Sequence, residues 1–319
     1  MIQYDLIIIG GGISGMTAAL SALESGINDV LIIEREDSLG GIVNQCIHNG
    51  FGKSVLNIEV TGSEYINLII NKLRNYKVDI KLDTEVIDIS KDKIVTYVNS
   101  SEGVKDIKGN SIILATGCRE KFTGSINIAT NTYTGISSIG NAHRIVNLEG
   151  YLLGKEPVIV ARNKWALIVA RRLYIEGANI KAVLIQENDD FILDDENAQI
   201  LEGFNIPIYN NLKVVEVFGE ERVTGVKVVC DDNSDEMILE CDSLLLSVEY
   251  FPENELLKNI DVEINELTLA PVVREYETLV KGIFACGNLI YGTKALNEKD
   301  INGVEAGEKA AEYIKKYYY

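Results

Sequence analysis

Short apolar runs bounded by glycine or polar residues recur along the chain, and the first of them follow a regular order. Residues 4–9 are apolar and rich in β-formers, residues 10–15 form a glycine-rich turn, and residues 16–25 have helical spacing. A second apolar run at residues 30–33 follows the glycine that ends the helix. This order of strand, turn, helix and strand predicts a parallel sheet covered by helices.

A second unit of the same kind begins far downstream, with a strand at residues 158–160, a helix at 165–176 and a strand at 182–185. Two such starts predict an α/β fold with two Rossmann-like, dinucleotide-binding domains. The other elements predicted from periodicity are a helix at 63–76, strands at 79–82, 85–89, 94–98, 112–115, 214–218, 223–229, 244–248 and 282–287, and a terminal helix at 301–316.

Charge and hydropathy exclude several classes of partner. The 319 residues carry a net charge of −18, which repels the nucleic-acid backbone and anionic membrane surfaces. The apolar runs are shorter than the roughly 20 residues that span a bilayer, and no basic, cleavable leader precedes the first strand. We therefore expect neither nucleic-acid binding nor membrane insertion, and we expect a cytoplasmic location.

The cysteines and histidines indicate neither a redox pair nor a metal site. No two cysteines have a Cys-x-x-Cys or Cys-x-x-x-x-Cys spacing, and the chain has two histidines, so zinc or iron–sulfur ligand sets are not predicted. Buried, reduced thiols are expected, with Cys46 as the exception because it lies near the predicted cofactor. The cysteines are Cys46, Cys118, Cys230, Cys241 and Cys286, and the histidines are His48 and His143.

The first glycine-rich turn has the spacing of a dinucleotide-binding loop. It fits Gly-x-Gly-x-x-Gly between a strand and a helix, and its helix N-terminus would face a pyrophosphate with free N–H groups. Glu34 follows the second strand, 19 residues after Gly15, and is suited to accept hydrogen bonds from a ribose. The predicted cofactor-binding residues in this part of the chain are Gly10, Gly12, Ser14, Gly15, Glu34, Arg35, Gly40 and Gly41.

Three later segments resemble FAD-binding segments of two-dinucleotide-binding flavoproteins. Ala115-Thr116-Gly117 resembles their chain-crossing motif, and Thr84-Glu85-Val86 resembles the segment whose backbone meets the adenine, here at Val86. Residues 278–288, TLVKGIFACGN, resemble their second FAD motif, which ends in Gly287 and Asn288. Many of those flavoproteins carry aspartate where this chain has Asn288.

The wider sequence resembles pyridine nucleotide-disulfide oxidoreductases of thioredoxin-reductase-like size. The branch it resembles most is that of FAD-dependent oxidoreductases found beside glycerol-3-phosphate dehydrogenase-like, opine oxidase and hydrogen cyanide synthase subunits. This resemblance implies FAD as cofactor, an FAD-binding domain at 1–118 plus 252–319, and an NAD(P)-binding-like domain at 119–251. The segments that carry it are LGGIVNQCIHNGFG at 39–52, ATGCRE at 115–120, NLEGYLLGK at 147–155 and APVVREYETLVKGIFACGN at 270–288.

The chain departs from that family in its cysteines. Residues 135–142, where thioredoxin reductases carry Cys-x-x-Cys, contain no cysteine, and Gly40-Gly41 is followed only by Cys46. Because dithiol chemistry needs two adjacent thiols, we do not expect disulfide reduction.

A second departure affects the nucleotide loop of the second unit. Ala161, Asn163 and Ala166 stand where three glycines are expected, and Trp165 adds bulk beside them. Side chains at these positions occupy the space that a pyrophosphate needs, so NAD(P)H binding is expected to be weak or lost. The alternative is an unusual loop that still binds, with a nearby arginine or lysine attracting phosphate.

Cys46 and His48 are the candidate catalytic residues, because they occur where the chain is expected to pass the flavin ring. One interpretation gives them redox or acid–base work, since histidine titrates near neutral pH. The other, slightly favoured, is that both only shape the ring pocket.

Three hypotheses about function follow. The first is an FAD subunit of a larger dehydrogenase, passing electrons between a substrate-oxidising partner subunit and another carrier in an oligomeric assembly. The second is a stand-alone NAD(P)H-dependent flavin oxidoreductase. The third is a non-catalytic scaffold that keeps FAD for structure. The missing disulfide and the altered second loop favour the first.

Overall fold

Two α/β units make up the chain, as seen in a computed structural model that describes residues 1–121, 133–186, 191–230, 235–291 and 302–319. The first unit comprises Met1–Arg119 and Tyr250–Tyr319, and the second comprises Glu120–Glu249. The sequence predicted these boundaries at 118/119 and 251/252.

The bounds of the regular elements are as follows. The strands are β1 Ile2–Ile9, β2 Val30–Ile33, β3 Asn49–Phe51, β4 Val60–Thr61, β5 Val78–Lys81, β6 Glu85–Ile89, β7 Ile94–Asn99, β8 Gly103–Leu114, β9 Cys118–Lys121, β10 Ile136–Ser138, β11 Pro157–Ala161, β12 Ala182–Ile185, β13 Ile208–Asn210, β14 Leu212–Gly219, β15 Val223–Cys230, β16 Glu236–Glu240, β17 Ser243–Leu246, β18 Glu249–Pro252 and β19 Ile283–Ala285. The α-helices are α1 Ile13–Glu24, α2 Lys53–Leu56, α3 Gly62–Leu73, α4 Ile139–Arg144, α5 Lys164–Ile175, α6 Asp195–Ala198, α7 Asn288–Tyr291 and α8 Val304–Tyr318.

The first unit is built on one seven-stranded sheet in the order β5-β2-β1-β8-β7-β6, with β19 also pairing with β8. Strands β5, β2, β1, β8 and β19 run parallel, whereas β6, β7 and β8 pair antiparallel. Strand β8 is long enough to pair with β7 through its first half and with β19 through its last residues. The carboxyl ends of β2, β1, β8 and β19 therefore share one edge of the sheet.

Apolar side chains cover both faces of this sheet. On one face, α1, α3 and α8 contribute a core that includes Met16, Ile69 and Ile314, all fully buried. On the other face, the antiparallel strands and residues that follow β18 contribute a second core around Tyr97 and Ile260.

Helix α8 lies against α1 with no side chains between the two backbones. A Cβ on Gly307 would lie 2.2 Å from the carbonyl oxygen of Ala18, and a Cβ on Gly303 would lie 2.1 Å from that of Ser14. The amide of Gly303 also donates to Thr17 Oγ1 at 2.8 Å. The start of α8 is thus held beside the first turn of α1.

The second unit has a five-stranded parallel sheet in the order β10-β17-β11-β12-β13 and a three-stranded antiparallel sheet, β14-β15-β16. Helices α4 and α5 cover one face of the parallel sheet, where Leu167 and Ile159 are fully buried. The antiparallel strands cover the other, with Val226 and Leu244 fully buried.

The structure differs from the sequence prediction at several element ends. Helix α1 begins at Ile13 rather than at residue 16, because Gly12 serves as its N-cap. Strand β8 was predicted only as residues 112–115, since its exposed, polar first half has no apolar pattern. Strand β16 was not predicted. The terminal helix ends at Tyr318 rather than at 316, and residue 301 lies outside the described residues.

Within the described ranges, no helix is long and apolar enough to cross a membrane. The same ranges contain no group of three His, Cys, Asp or Glu side chains that could hold a metal ion.

The close approach of α8 to α1 gives the first prediction. Gly307→Ala is expected to lower the free energy of unfolding by ~1–3 kcal/mol, because the added methyl meets the Ala18 backbone and cannot rotate away. Alanine's better helix propensity, worth about 1 kcal/mol, acts in the opposite direction. Urea unfolding followed by circular dichroism measures the difference.

Glu308→Ala on the exposed side of α8 is the matched control and is expected to unfold like the unmodified chain. A Gly307→Ala variant as stable as this control would contradict the packing described here.

Candidate cofactor-binding site

The turns that follow β1, β2, β8 and β19 meet at the carboxyl edge of the first sheet. Ile9 is in register with Ile33 on one side and with Leu114 on the other, and Ala285 pairs with Leu114 in turn. In open parallel sheets, this edge is where ligands bind. The segments that the sequence singled out therefore come together without any long-range adjustment.

Glycines let the first turn pack directly on its neighbours. Gly10 has φ +107°, and a Cβ there would lie 2.4 Å from the carbonyl oxygen of Ala115. A Cβ on Gly15 would lie 1.9 Å from the carbonyl oxygen of Gly10, so α1 can approach β1 only without that atom. These two glycines are required by the protein's own packing.

Gly12 is different, because its missing side chain leaves open space. Its φ of −66° suits any residue, and the nearest atom to an added Cβ would be Gly41 Cα at 3.9 Å. No protein group fills the room in front of Gly12. This is the position at which a dinucleotide-binding loop brings its backbone close to the pyrophosphate.

The N-terminus of α1 is left uncapped by side chains. Gly12 is the N-cap residue, and no side chain accepts a hydrogen bond from the first turn. The first N–H groups of a helix have no partner within the helix, and with the helix dipole they form a site for an anion. Ser14 lies in this first turn and is buried.

The carboxylate of Glu34 is fixed just beyond the end of β2. It is 7% exposed, and it accepts hydrogen bonds from the backbone N–H of Gly11 at 2.6 Å and of Glu36 at 3.0 Å. Each carboxylate oxygen can accept a further hydrogen bond. A ribose hydroxyl at this edge would find an acceptor that is already oriented.

The Gly40-Gly41 pair lies against the glycine turn through its backbone. The amide of Gly40 donates to the carbonyl of Gly11 at 2.9 Å, and both glycines have positive φ, +120° and +56°. Gly41 then begins a 3-10 helix, Gly41–Gln45. The room in front of Gly12 is thus bordered by backbone on two sides.

The remaining predicted contacts lie along the same edge. The amide of Ala115 bonds to Ile9 and that of Cys286 bonds to Leu114, which places the turns at Thr116-Gly117 and Gly287-Asn288 beside each other. The amide of Thr84 donates to the carbonyl of Glu34 at 3.0 Å, so the segment leading to Val86 lies next to Glu34.

Cys46 and His48 follow the 3-10 helix at residues 41–45. Burial raises the pKa of the Cys46 thiol to about 12, and its Sγ lies 3.6 Å from the carbonyl oxygen of Ile42. A thiol with that pKa is protonated at neutral pH. His48 Nδ1 lies 2.8 Å from the carbonyl oxygen of Asn49, and the ring packs on Phe51 with centroids 5.2 Å apart. Catalytic roles for Cys46 and His48 stay predictions.

The start of α3 holds this segment in place. A Cβ on Gly62 would lie 2.4 Å from the carbonyl oxygen of Cys46 and 2.7 Å from that of Val43. Thr61 caps the helix in a capping box with Glu64. Sequence reasoning missed Gly62, since a glycine at a helix start carries no motif.

The corresponding loop of the second unit is closed by its own residues. Asn163 is the N-cap of α5, and its side chain accepts a hydrogen bond from the amide of Ala166 at 3.2 Å. Ala161 and Ala166 are fully buried, and the ammonium of Lys164 lies 5.9 Å from the Trp165 ring centroid. The helix end that a pyrophosphate would use is therefore capped by the protein.

Glu253 is a further residue at the first site that the sequence did not reveal. It follows β18, and its backbone and carboxylate contact the Thr116-Gly117 turn and Arg35. A lone glutamate after a proline is too common a pattern to indicate a role.

The uncapped helix, the open space at Gly12 and the fixed acceptor at Glu34 fit the pyrophosphate and ribose of an FAD molecule. A parallel sheet with these features defines a dinucleotide-binding α/β protein. The sequence model of the pyridine nucleotide-disulphide oxidoreductases matches residues 4–311, and the chain belongs to this family. It is an FAD-dependent oxidoreductase.

Similar proteins agree with this assignment. A flavoprotein component of alkyl hydroperoxide reductase from Staphylococcus aureus is 26% identical over 309 residues, which cover 97% of this chain and 58% of that protein. The chain thus spans somewhat over half the length of that relative. The predicted likeness to oxidoreductases found beside glycerol-3-phosphate dehydrogenase-like, opine oxidase and hydrogen cyanide synthase subunits stays a prediction.

Solved structures confirm the predicted fold class. Thioredoxin reductase of T. acidophilum superposes with a TM-score of 0.74 at 24% identity and 99% coverage of both chains. Bacillithiol disulfide reductase of Bacillus cereus gives a TM-score of 0.72 at 20% identity, covering 97% of this chain and 99% of that one.

The contrast between Gly12 and Gly15 gives a matched pair of variants. Gly12→Ala is expected to leave the stability of the apoprotein unchanged and to weaken FAD binding at least tenfold, about 1.4 kcal/mol, because its methyl enters the space kept for phosphate. Gly15→Ala is expected to destabilise the apoprotein itself, since its methyl meets the Gly10 backbone. Thermal unfolding and flavin fluorescence titration separate the two effects. Unchanged FAD affinity in Gly12→Ala would contradict the placement of the pyrophosphate.

The cysteines give a prediction about pH. Burial raises the pKa values of Cys46 and Cys286 to about 12 and that of Cys241 to about 11. Their neutral forms are favoured by folding, so this stabilisation is complete below pH 9 and is lost as the pH rises through the folded pKa values.

Alkylation with iodoacetamide at pH 8 should therefore modify Cys118 and Cys230, which are partly exposed, well before the other three. Mass spectrometry of time points shows the order. Rapid labelling of Cys46 in the folded protein would revive a thiolate role for it.

Proposed function

We propose that this chain is the electron-transferring FAD subunit of a larger dehydrogenase, and that a protein partner rather than NAD(P)H exchanges electrons with it. The partner carries substrate oxidation or another redox centre. The expected oligomeric assembly and cytoplasmic location belong to the same proposal.

The observation that carries the proposal is the difference between the two loops. The first loop leaves its helix N-terminus uncapped and its space open at Gly12, whereas Asn163 caps the helix of the second. A nucleotide at the second loop would have to displace the Asn163 hydrogen bond and still meet the methyl groups of Ala161 and Ala166. Losing a hydrogen bond of this kind costs about 1 kcal/mol, and the steric conflict adds to it.

The thiols support the same conclusion. All five cysteines are free, and those at 46, 241 and 286 are buried with raised pKa values. Disulfide reduction needs a pair of thiols, one of them ionised, within bonding distance. Electrons from the flavin would therefore leave by a route other than a dithiol of this chain.

A name among the relatives also favours a partner. The similar Staphylococcus aureus protein is designated a subunit of alkyl hydroperoxide reductase, so a protein of this family operates there as one part of an assembly. By analogy, the present chain would supply the flavin and another chain the substrate chemistry.

The chain's own residues bind and orient. The α1 N-terminus would hold the pyrophosphate, Glu34 the ribose, and the 3-10 helix at 41–45 would border the ring system. FAD when bound supplies electron transfer in pairs or singly. His48, whose Nδ1 faces a carbonyl oxygen, is placed to hold a proton on that nitrogen.

The test is anaerobic stopped-flow mixing of the oxidised holoprotein with NADH and with NADPH. We expect slow or absent bleaching of the flavin, and some gain of nucleotide reduction in the combined variant Ala161→Gly, Asn163→Gly and Ala166→Gly. The control is Asn179→Gly, an exposed asparagine of the same unit outside the loop.

Fast, saturable bleaching at micromolar NADH would overturn the proposal in favour of a stand-alone NAD(P)H-dependent oxidoreductase. Flavin that no reductant and no copurifying partner can reduce would favour the scaffold hypothesis instead.

A further inference from the structure

Glu253 lies at a junction of the first unit. Its amide donates to the carbonyl of Gly117 at 2.9 Å, and its carbonyl accepts from Thr116 Oγ1 at 2.8 Å. The returning chain is thereby bonded on both sides to the turn that follows β8. That turn in turn packs on Gly10, because Ala115 fills the place of the missing Gly10 side chain.

The Glu253 carboxylate is largely buried between two arginines. Its side chain is 14% exposed, with Oε1 lying 3.8 Å from Arg35 Nη1 and Oε2 3.7 Å from Arg119 Nη1. A carboxylate so little exposed needs opposite charge nearby to remain ionised. The two guanidinium groups supply it, and in return their own positions are restricted.

Arg35 is the residue directly after Glu34, the acceptor placed for the ribose. Its side chain is 59% exposed, so without a partner it would sample many rotamers. The pair with Glu253 holds its charge near Glu34 and near the turn at Thr116-Gly117. Both flank the room in front of the α1 N-terminus.

We infer that Glu253 is a positioning residue of the FAD site, which fixes Arg35 and the Thr116-Gly117 turn at the adenosine end of the cofactor. The inference rests on FAD binding at the first loop. It assigns Glu253 no contact with the flavin ring and no part in electron transfer. Its effect is on the affinity for the adenosine and pyrophosphate half.

The variant Glu253→Gln isolates the charge, because glutamine has the same shape and the two backbone hydrogen bonds remain. We expect FAD to dissociate about five- to tenfold more readily from this variant, in line with the loss of one partly buried ion pair. The apoprotein should bind ADP more weakly by the same factor, since ADP carries the adenosine and pyrophosphate without the flavin. The visible spectrum of bound FAD should not change.

Glu255→Gln is the matched control. Glu255 is two residues away and 64% exposed, and its pairs are with Arg119 at 3.9 Å and Lys258 at 3.4 Å, not with Arg35. This variant loses the same charge from the same segment and is expected to bind FAD and ADP as the unmodified chain does.

A double-mutant cycle tests whether Glu253 acts through Arg35. Arg35→Gln, at an exposed side chain, should weaken ADP binding by a similar factor, and adding Glu253→Gln to it should cause little further loss. Titration calorimetry with ADP on all four apoproteins gives the coupling. Thermal unfolding of the same samples shows whether stability and affinity change together.

Unchanged ADP affinity in Arg35→Gln would overturn the inference, even if Glu253→Gln failed to fold. Fully additive losses would also overturn it, because Glu253 would then act only as a structural anchor. If the unmodified chain bound neither FAD nor ADP, the failure would lie with the cofactor site and the proposed function rather than with Glu253.

Discussion

Direct contact between backbones around α1 is the constraint on which the rest of the first unit depends. Gly15 lets the helix lie on β1, and Gly303 and Gly307 let α8 lie on the helix from another side. Any side chain at these positions would meet a carbonyl oxygen at 1.9–2.2 Å, which cannot give way as a flexible side chain can. The position of the α1 N-terminus is therefore set by contacts that do not involve the cofactor, and the anion site is formed before anything binds.

The second unit shows what remains when such a loop loses its function but the fold is kept. Strands β11 and β12 and helix α5 retain the βαβ arrangement, with Val158, Leu167 and Val183 fully buried. The sheet needs those apolar contacts, whereas it does not need an open helix end. A side-chain cap is the more stable choice for an unliganded helix, since asparagine satisfies an N–H group that would otherwise have no partner. The substitutions at 161, 163 and 166 fit a unit that is kept for its surface or its shape.

The sequence predicts best where burial is complete on both faces. Strands Val30–Ile33 and Ala182–Ile185 were predicted to the residue, because each is a continuous apolar run between polar ends. The first half of β8 and all of β16 alternate or are exposed, and pairing with neighbouring strands decides their conformation. The glycine turn and Glu34 were found because their spacing is fixed by local geometry. Glu253 and Gly62 could not be found, since each acts through residues distant in sequence.

Electrostatics at the first site present an apparent conflict, because two largely buried carboxylates, Glu34 and Glu253, flank a place suited to an anionic pyrophosphate. Each is neutralised locally, but in different ways. Glu34 receives two backbone N–H groups at 2.6 and 3.0 Å, and Glu253 lies between two guanidinium groups. Charge–charge repulsion at short range is thereby reduced, while the carboxylate of Glu34 keeps its capacity to accept hydrogen bonds. In a chain of net charge −18, the attraction for phosphate must then come from fixed backbone dipoles at the start of α1, which surface charge and salt affect less than they would an exposed lysine.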